Sequence, residues 1–115
     1  MNSELEEIQN KANAILENSK SPDPLKYIGS FAGSKIPFFF NLNNKTFSAE
    51  GEYLSQQFKL AGNLEFDQQN YVRCITRYNY NINSKRWEEK TYKSFYIDLT
   101  QNEFKFNHFD CVKLD

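Results

Sequence analysis

YVRCITRYNYNINSKRWEEKTYKSFYIDLTQNEFKFNH, residues 71–108, is the stretch on which the fold turns. Polar breaks at Asn83-Ser84 and Gln101-Asn102 divide it into three runs in which aromatic and branched residues alternate with polar ones, the pattern of half-buried strands. With Asn83-Ser84 as a two-residue turn, Tyr80 falls opposite Trp87, Thr76 opposite Thr91 and Val72 opposite Phe95. With Gln101-Asn102 as the next turn, Leu99 meets Phe104, Ile97 meets Phe106 and Phe95 meets His108. Both turns select the same apolar face, and a slip of one residue would turn every side chain over. The expectation is a continuous central strand from Trp87 to Leu99, with Trp87 and Phe95 on its buried side and Tyr96 on its wet side.

Working back toward the N-terminus, short β-rich runs begin at Ile36, separated by turn residues at Asn43-Asn44, Ala61-Gly62-Asn63 and Asp67 to Asn70. Connections this short favour antiparallel neighbours. Leu25 to Ser34 reads either as a helical turn or as a leading strand. Before it, Ser3 and Glu6 form a capping box, and Leu5, Ile8, Ala12, Ile15 and Leu16 make one helical stripe, with Glu7 and Lys11 paired on the surface. That helix ends near Asn18, because Ser21-Pro22-Asp23-Pro24 cannot continue it. No internal repeat, linker or low-complexity tract is apparent.

The chain has 115 residues, in the usual range for one domain. The fold class expected is α+β: a single domain over 1–115, with a helix at about 4–18 packed on a twisted antiparallel β-meander of about five to seven strands within 36–113. The alternative is a small β-barrel plugged by the helix. One Trp, seven Tyr and eleven Phe supply the core. Cys74 and Cys111 lack metal-ligand spacing and read as reduced thiols, with Cys74 facing inward and Cys111 on the other side, so that they do not bridge. No apolar run approaches the roughly 18 residues of a membrane helix. The first residues, with Glu4, Glu6 and Glu7, do not resemble a secretory leader, so a cytoplasmic home is expected, or export if a leader was removed.

Chemistry has few candidates. His108 is the one imidazole, and its register points it into the aromatic face as a structural residue. The carboxylate pairs are Glu88-Glu89, which point to opposite sides of a strand, and Glu50 with Glu52 and Glu65 with Asp67, which suit solvated strand edges. Gly29 and Gly33 lack a phosphate-binding pattern. The expectation is therefore no catalytic, cofactor or metal residue and no enzyme activity.

Charge is distributed unevenly. Residues 71–93 carry six Lys or Arg against two Glu, whereas residues 1–70 carry six Lys against nine acids, and the net charge of the chain is −1. In the expected register the outward face of this basic hairpin presents Tyr71, Arg73, Ile75, Arg77, Lys90, Tyr92 and Tyr96, with Glu88 partly neutralising Arg77. Arginine, tyrosine and an exposed isoleucine are the residues from which binding hot spots are built. The expected function is a small non-enzymatic protein-binding module, of the immunity or inhibitor type, that occludes a toxin or enzyme bearing an acidic surface. The overall acidity argues against nucleic acid. Two alternatives stand beside it: a small-molecule-binding aromatic barrel lined by Phe38, Phe40, Phe58, Tyr80, Trp87, Phe95 and Phe106, and a structural module of a surface or filament protein.

Overall fold

The computed structural model describes residues 3–90 and 94–114. One helix, α1 (Ser3–Ser19), precedes nine strands: β1 (Leu25–Phe31), β2 (Ser34–Asn41), β3 (Thr46–Tyr53), β4 (Gln56–Gln68), β5 (Tyr71–Asn81), β6 (Arg86–Glu89), β7 (Ser94–Asp98), β8 (Glu103–Phe106) and β9 (Phe109–Lys113). The strands form one curled sheet in the order β6-β5-β4-β3-β2-β1-β9-β8, with β7 pairing β5 beside β6. Every ladder is antiparallel. This is the expected α+β class with more strands than expected, curled into a half-barrel. The segment that read ambiguously, Leu25 onward, is a strand, so the β-region starts there rather than at Ile36. The capping-box serine is the first residue of α1, and its side chain lies outside the described residues, as do Thr91 and Tyr92.

Curling gives the sheet two differently filled faces. On the concave side Tyr27, Phe38, Phe40, Phe47, Leu60, Leu64, Val72, Cys74, Ile97, Phe109 and Cys111 pack into the main core. On the convex side Ala12 and Leu16 of α1, flanked by Ile8 and Ile15, bury Ala61 and Trp87. Leu60 and Ala61 are consecutive on β4 and belong to different clusters, as the pleat requires. The helix therefore covers the outside of the curl, while the aromatic residues fill the inside.

The irregularity that decides the faces lies in β5. Gly62 of β4 pairs with Thr76 and Ala61 pairs with Tyr78, so Arg77 is an extra residue, a β-bulge. Its carbonyl accepts a hydrogen bond from the Lys90 N–H at 2.8 Å. Cys74 thus points into the concave core, whereas Tyr78 and Tyr80, an even number of residues further on, point to the helix side. Ala61-Gly62-Asn63, expected to be a turn, is the middle of β4. Glycine is required there because the bulge brings strand and ring close: a Cβ on Gly62 would lie 2.1 Å from the Ile75 carbonyl oxygen and 2.5 Å from the Phe47 ring.

The continuous central strand expected from Trp87 to Leu99 is instead two strands, β6 and β7, which share one edge of β5. The first turn sets the register as read, Tyr80 opposite Trp87. Beyond the bulge the register moves by two: Val72 pairs with Ile97, not Phe95, and Cys74 pairs with Phe95. A shift of two preserves the pleat, but the bulge does not. Trp87 therefore packs under the helix while Phe95 packs against the concave core. The second expected hairpin is not a ladder either. β8 pairs β9, and Phe104 and Phe106 meet Cys111 and Phe109 in place of Leu99 and Ile97.

Two turns turn out to be copies. Asn41-Leu42-Asn43-Asn44-Lys45 and Asn81-Ile82-Asn83-Ser84-Lys85 lie 40 positions apart, each preceded directly by an aromatic residue, Phe40 or Tyr80, and followed one residue later by another, Phe47 or Trp87. In each, the leading Asn Oδ1 accepts the backbone N–H groups two and three residues on, at 3.1 and 3.2 Å in the first and 2.9 and 3.3 Å in the second. Each closes with a lysine at positive φ, 59° at Lys45 and 57° at Lys85. The repeat was hidden in the sequence because only the turn chemistry is shared.

Candidate functional site

Three of the expected contact residues come together on the convex face. Arg73 pairs with Tyr96 across the β5–β7 ladder, and Tyr71 lies one diagonal step away. The Tyr71 and Tyr96 rings stack with centroids 5.0 Å apart and planes 14° from parallel. Both remain accessible, Tyr71 at 40% and Tyr96 at 43% of full exposure. From β4, Glu65 faces Arg73 directly and accepts a hydrogen bond from its guanidinium at 3.1 Å. The nearby Asp67 carboxylate raises the Tyr96 phenol above its ordinary range.

The result is an aromatic patch across β4, β5 and β7 in which one guanidinium meets two carboxylates, not the net-basic face expected. The meeting of Glu65 with Arg73 was not legible, because it needs the β4–β5 register, and Asp67 sits at a second irregularity of that ladder, between Phe66 and Gln68.

The other expected residues go elsewhere. Ile75 is 5% exposed, placed opposite Asn63 and Ser94 as part of the interior rather than as an outward contact. Arg77 is the bulge residue; its Nε donates to Asn63 Oδ1 at 3.2 Å, and it lies beside Ala14 and Ile15 of α1. Glu88, its expected neutraliser, accepts from Asn81 Nδ2 at 3.0 Å instead. Lys90 lines a cleft with Phe95 and Phe106. Tyr92 lies outside the described residues.

Two residues that sequence reading passed over fix this side of the molecule. Gln9 of α1 uses both ends of its amide on Trp87: Nε2 donates to the Trp87 carbonyl and Oε1 accepts its N–H, both at 2.8 Å. Asn13 Oδ1 accepts the indole N–H at 2.9 Å. Their four-residue spacing puts both on one helix face, and that was the available signal.

Of the aromatic residues proposed to line a ligand barrel, Tyr80 and Trp87 lie on the helix side, 5.8 Å apart edge to face. Phe38, Phe95 and Phe106 fill the curl against one another, with Phe95–Phe106 at 4.9 Å and Phe38–Phe106 at 5.5 Å. The cleft at their margin measures about 190 Å³, below the roughly 300–1,000 Å³ typical of small-molecule sites. His108 is exposed in the β8–β9 turn, stacked on Phe31 at 5.4 Å, rather than paired with Phe95. Glu50 pairs with Lys20 and, at 3.9 Å, with Lys59. Cys74 and Cys111 are free and belong to the same core, so Cys111 does not face the opposite side. Burial pushes both thiols up, that of Cys111 to about 12.

No helix among the described residues is long and apolar enough to cross a membrane. Comparison of the chain with protein-family models, curated proteins and solved structures returns no match.

Proposed function

We propose that the chain is a non-enzymatic protein-binding module that acts by occlusion, as immunity and inhibitor proteins do, with Tyr71, Arg73 and Tyr96 at the centre of its contact. The observation that carries this reading is the parallel Tyr71–Tyr96 stack on adjacent strands. Two phenol rings held by each other and by the sheet lose little side-chain entropy on binding, and tyrosine beside arginine is the composition of interface hot spots. With Glu65 paired to Arg73 and Asp67 beside Tyr96, the partner surface is one of mixed charge, and its carboxylate competes with Glu65 for the guanidinium. That exchange costs little because the existing pair is largely solvated. The two free thiols suit a reducing, cytoplasmic compartment.

The test is affinity purification of the tagged chain from native lysate, beside Tyr96→Ala and Arg73→Glu. One stoichiometric protein is expected, with binding weakened by about thirtyfold in each variant, the effect of losing a hot spot of roughly 2 kcal/mol. Absence of a stoichiometric partner, or equal capture by both variants, overturns the reading.

A further inference from the structure

The register of three strands fixes what surrounds the Tyr71–Tyr96 stack. Across β4, β5 and β7 one row reads Gln68, Tyr71, Asp98 and the next reads Glu65, Arg73, Tyr96. Asp67 stands at the irregularity between Phe66 and Gln68, close enough to Tyr96 to raise its phenol. Two accessible rings are therefore surrounded by three carboxylates and one guanidinium. Arg73 is already paired with Glu65. No ion pair among the described residues includes Asp67 or Asp98.

Beside the stack the surface sinks into a hollow of about 350 Å³, lined by Gln68, Gln69, Asn70, Tyr71, Asp98 and Thr100. Tyr71 lines it and Tyr96 does not, so the Tyr71 ring forms the wall between the hollow and its stacking partner. Thr100 anchors the Asp98 carboxylate, its hydroxyl and its backbone N–H both donating to Oδ1, at 2.6 and 2.9 Å. Those two bonds hold the carboxyl below its usual range, which keeps it ionised at neutral pH, and they leave Oδ2 to a cation. The amide side chains in the lining add carbonyl acceptors. An aromatic face beside a fixed carboxylate favours a cation through the ring quadrupole and the full charge together.

We propose that this hollow receives an arginine of the partner protein, its guanidinium laid against the Tyr71 ring and paired with Asp98. The inference rests on the reading of Tyr71, Arg73 and Tyr96 as the centre of a protein contact and names what the partner brings there. Charge selects a cation: an anionic occupant would meet an excess of carboxylates, and an apolar one would dehydrate Asp98 without pairing it. Chemistry selects arginine over lysine. A guanidinium is planar, stacks on a ring while its N–H groups reach carboxylate and amide oxygens, and is less strongly hydrated than an ammonium. The partner thus presents a carboxylate to Arg73 and an arginine to Asp98, one on each side of the stacked rings.

The test is selection of short peptides from a random display library on the intact chain, followed by titration of a selected peptide, end-capped, into ¹⁵N-labelled protein. The expected peptides share an arginine and shift the amides of Gln69, Asn70, Asp98 and Thr100. Citrulline in place of that arginine keeps the planar shape and removes the charge; it is expected to weaken binding about tenfold, as is Asp98→Asn in the protein. Lysine in its place is expected to weaken binding about threefold. Failure of any peptide to enrich, shifts that leave those four amides unmoved, or equal binding of the citrulline peptide overturns the inference. A peptide, or a partner captured from lysate, that is lost with Tyr96→Ala yet held unchanged by Asp98→Asn overturns this inference alone and leaves the Tyr71–Arg73–Tyr96 contact standing. One held unchanged by both Tyr96→Ala and Arg73→Glu overturns that contact and takes the arginine site with it.

Discussion

Asn41 shows how one side chain can serve two elements. It is 1% exposed; its Oδ1 holds the β2–β3 turn, and its Nδ2 donates to the carbonyls of Asn18 at 3.2 Å and Ser21 at 2.8 Å. Asn18 lies in the last turn of α1, where carbonyls lack partners within the helix, and Ser21 lies just past its end. Asn81 holds the matching turn but spends its Nδ2 on exposed Glu88. Asn41→Ala is expected to cost about 2–4 kcal/mol because it removes four hydrogen bonds made by a buried side chain, and Asn81→Ala about 1 kcal/mol or less. Paired urea melts of the two variants check the contrast.

The thiols set a pH dependence. Both are held protonated in the folded chain above the ordinary value of 9.0, Cys111 up to about 12. Below pH 9 folded and unfolded chains bind these protons equally. Above it the unfolded chain releases them first, so stability falls with rising pH by roughly 1.4 kcal/mol per unit for each thiol. Denaturation of the wild type and the Cys74→Ala/Cys111→Ala variant between pH 8 and 11 checks this: the wild type is expected to lose stability more steeply.

Among the elements, turns and edges carry the specific chemistry. The β3–β4 connection is a two-residue turn in which Leu54 and Ser55 both have positive φ, 51° and 64°, and Leu54 is 60% exposed. Such turns favour Asn-Gly, since branched and bulky residues are strained in the left-handed region. Leu54→Asn/Ser55→Gly is expected to stabilise the fold by about 1–2 kcal/mol, read as a higher urea midpoint with an unchanged slope. At the edge of the sheet, Gln9 occupies both backbone groups of Trp87 as a neighbouring strand would. Gln9→Ala is expected to cost about 1–2 kcal/mol and to let uncovered β6 edges associate, seen as a concentration-dependent dimer in sedimentation velocity.

The helix, its stripe and its end near Asn18 were legible because capping and 3.6-residue periodicity are local. The register of the β5–β6 hairpin was legible because a short turn imposes it. Gly62 was misread, since glycine marks a turn and a close backbone approach equally well in sequence. The bulge at Arg77 left no trace, because a polar residue in an alternating run looks the same whether it is paired or extra.

At the scale of the whole molecule, that single extra residue separates two cores. Without it Trp87 and Phe95 would share a face, and one side of the sheet would hold both helix and rings. With it, α1 packs on the convex side around Trp87, the Phe-rich strands fill the concave side, and the Tyr71–Tyr96 stack is left outward. Of the candidate site, the alternation of Tyr71, Arg73 and Tyr96 was legible; the burial of Ile75 and the partners Glu65 and Asp67 were not, because long-range pairing decides them. The most direct measurement is a NOESY spectrum of the labelled chain. Cross-peaks from the Trp87 indole N–H to Asn13, together with cross-peaks from the Phe95 ring to Phe104 and Phe106, are predicted, with none between Trp87 and Phe95. Cross-peaks joining the Trp87 ring to Cys74 or Phe95, with none to α1, would contradict the division of the sheet into two faces and the outward position of the docking residues.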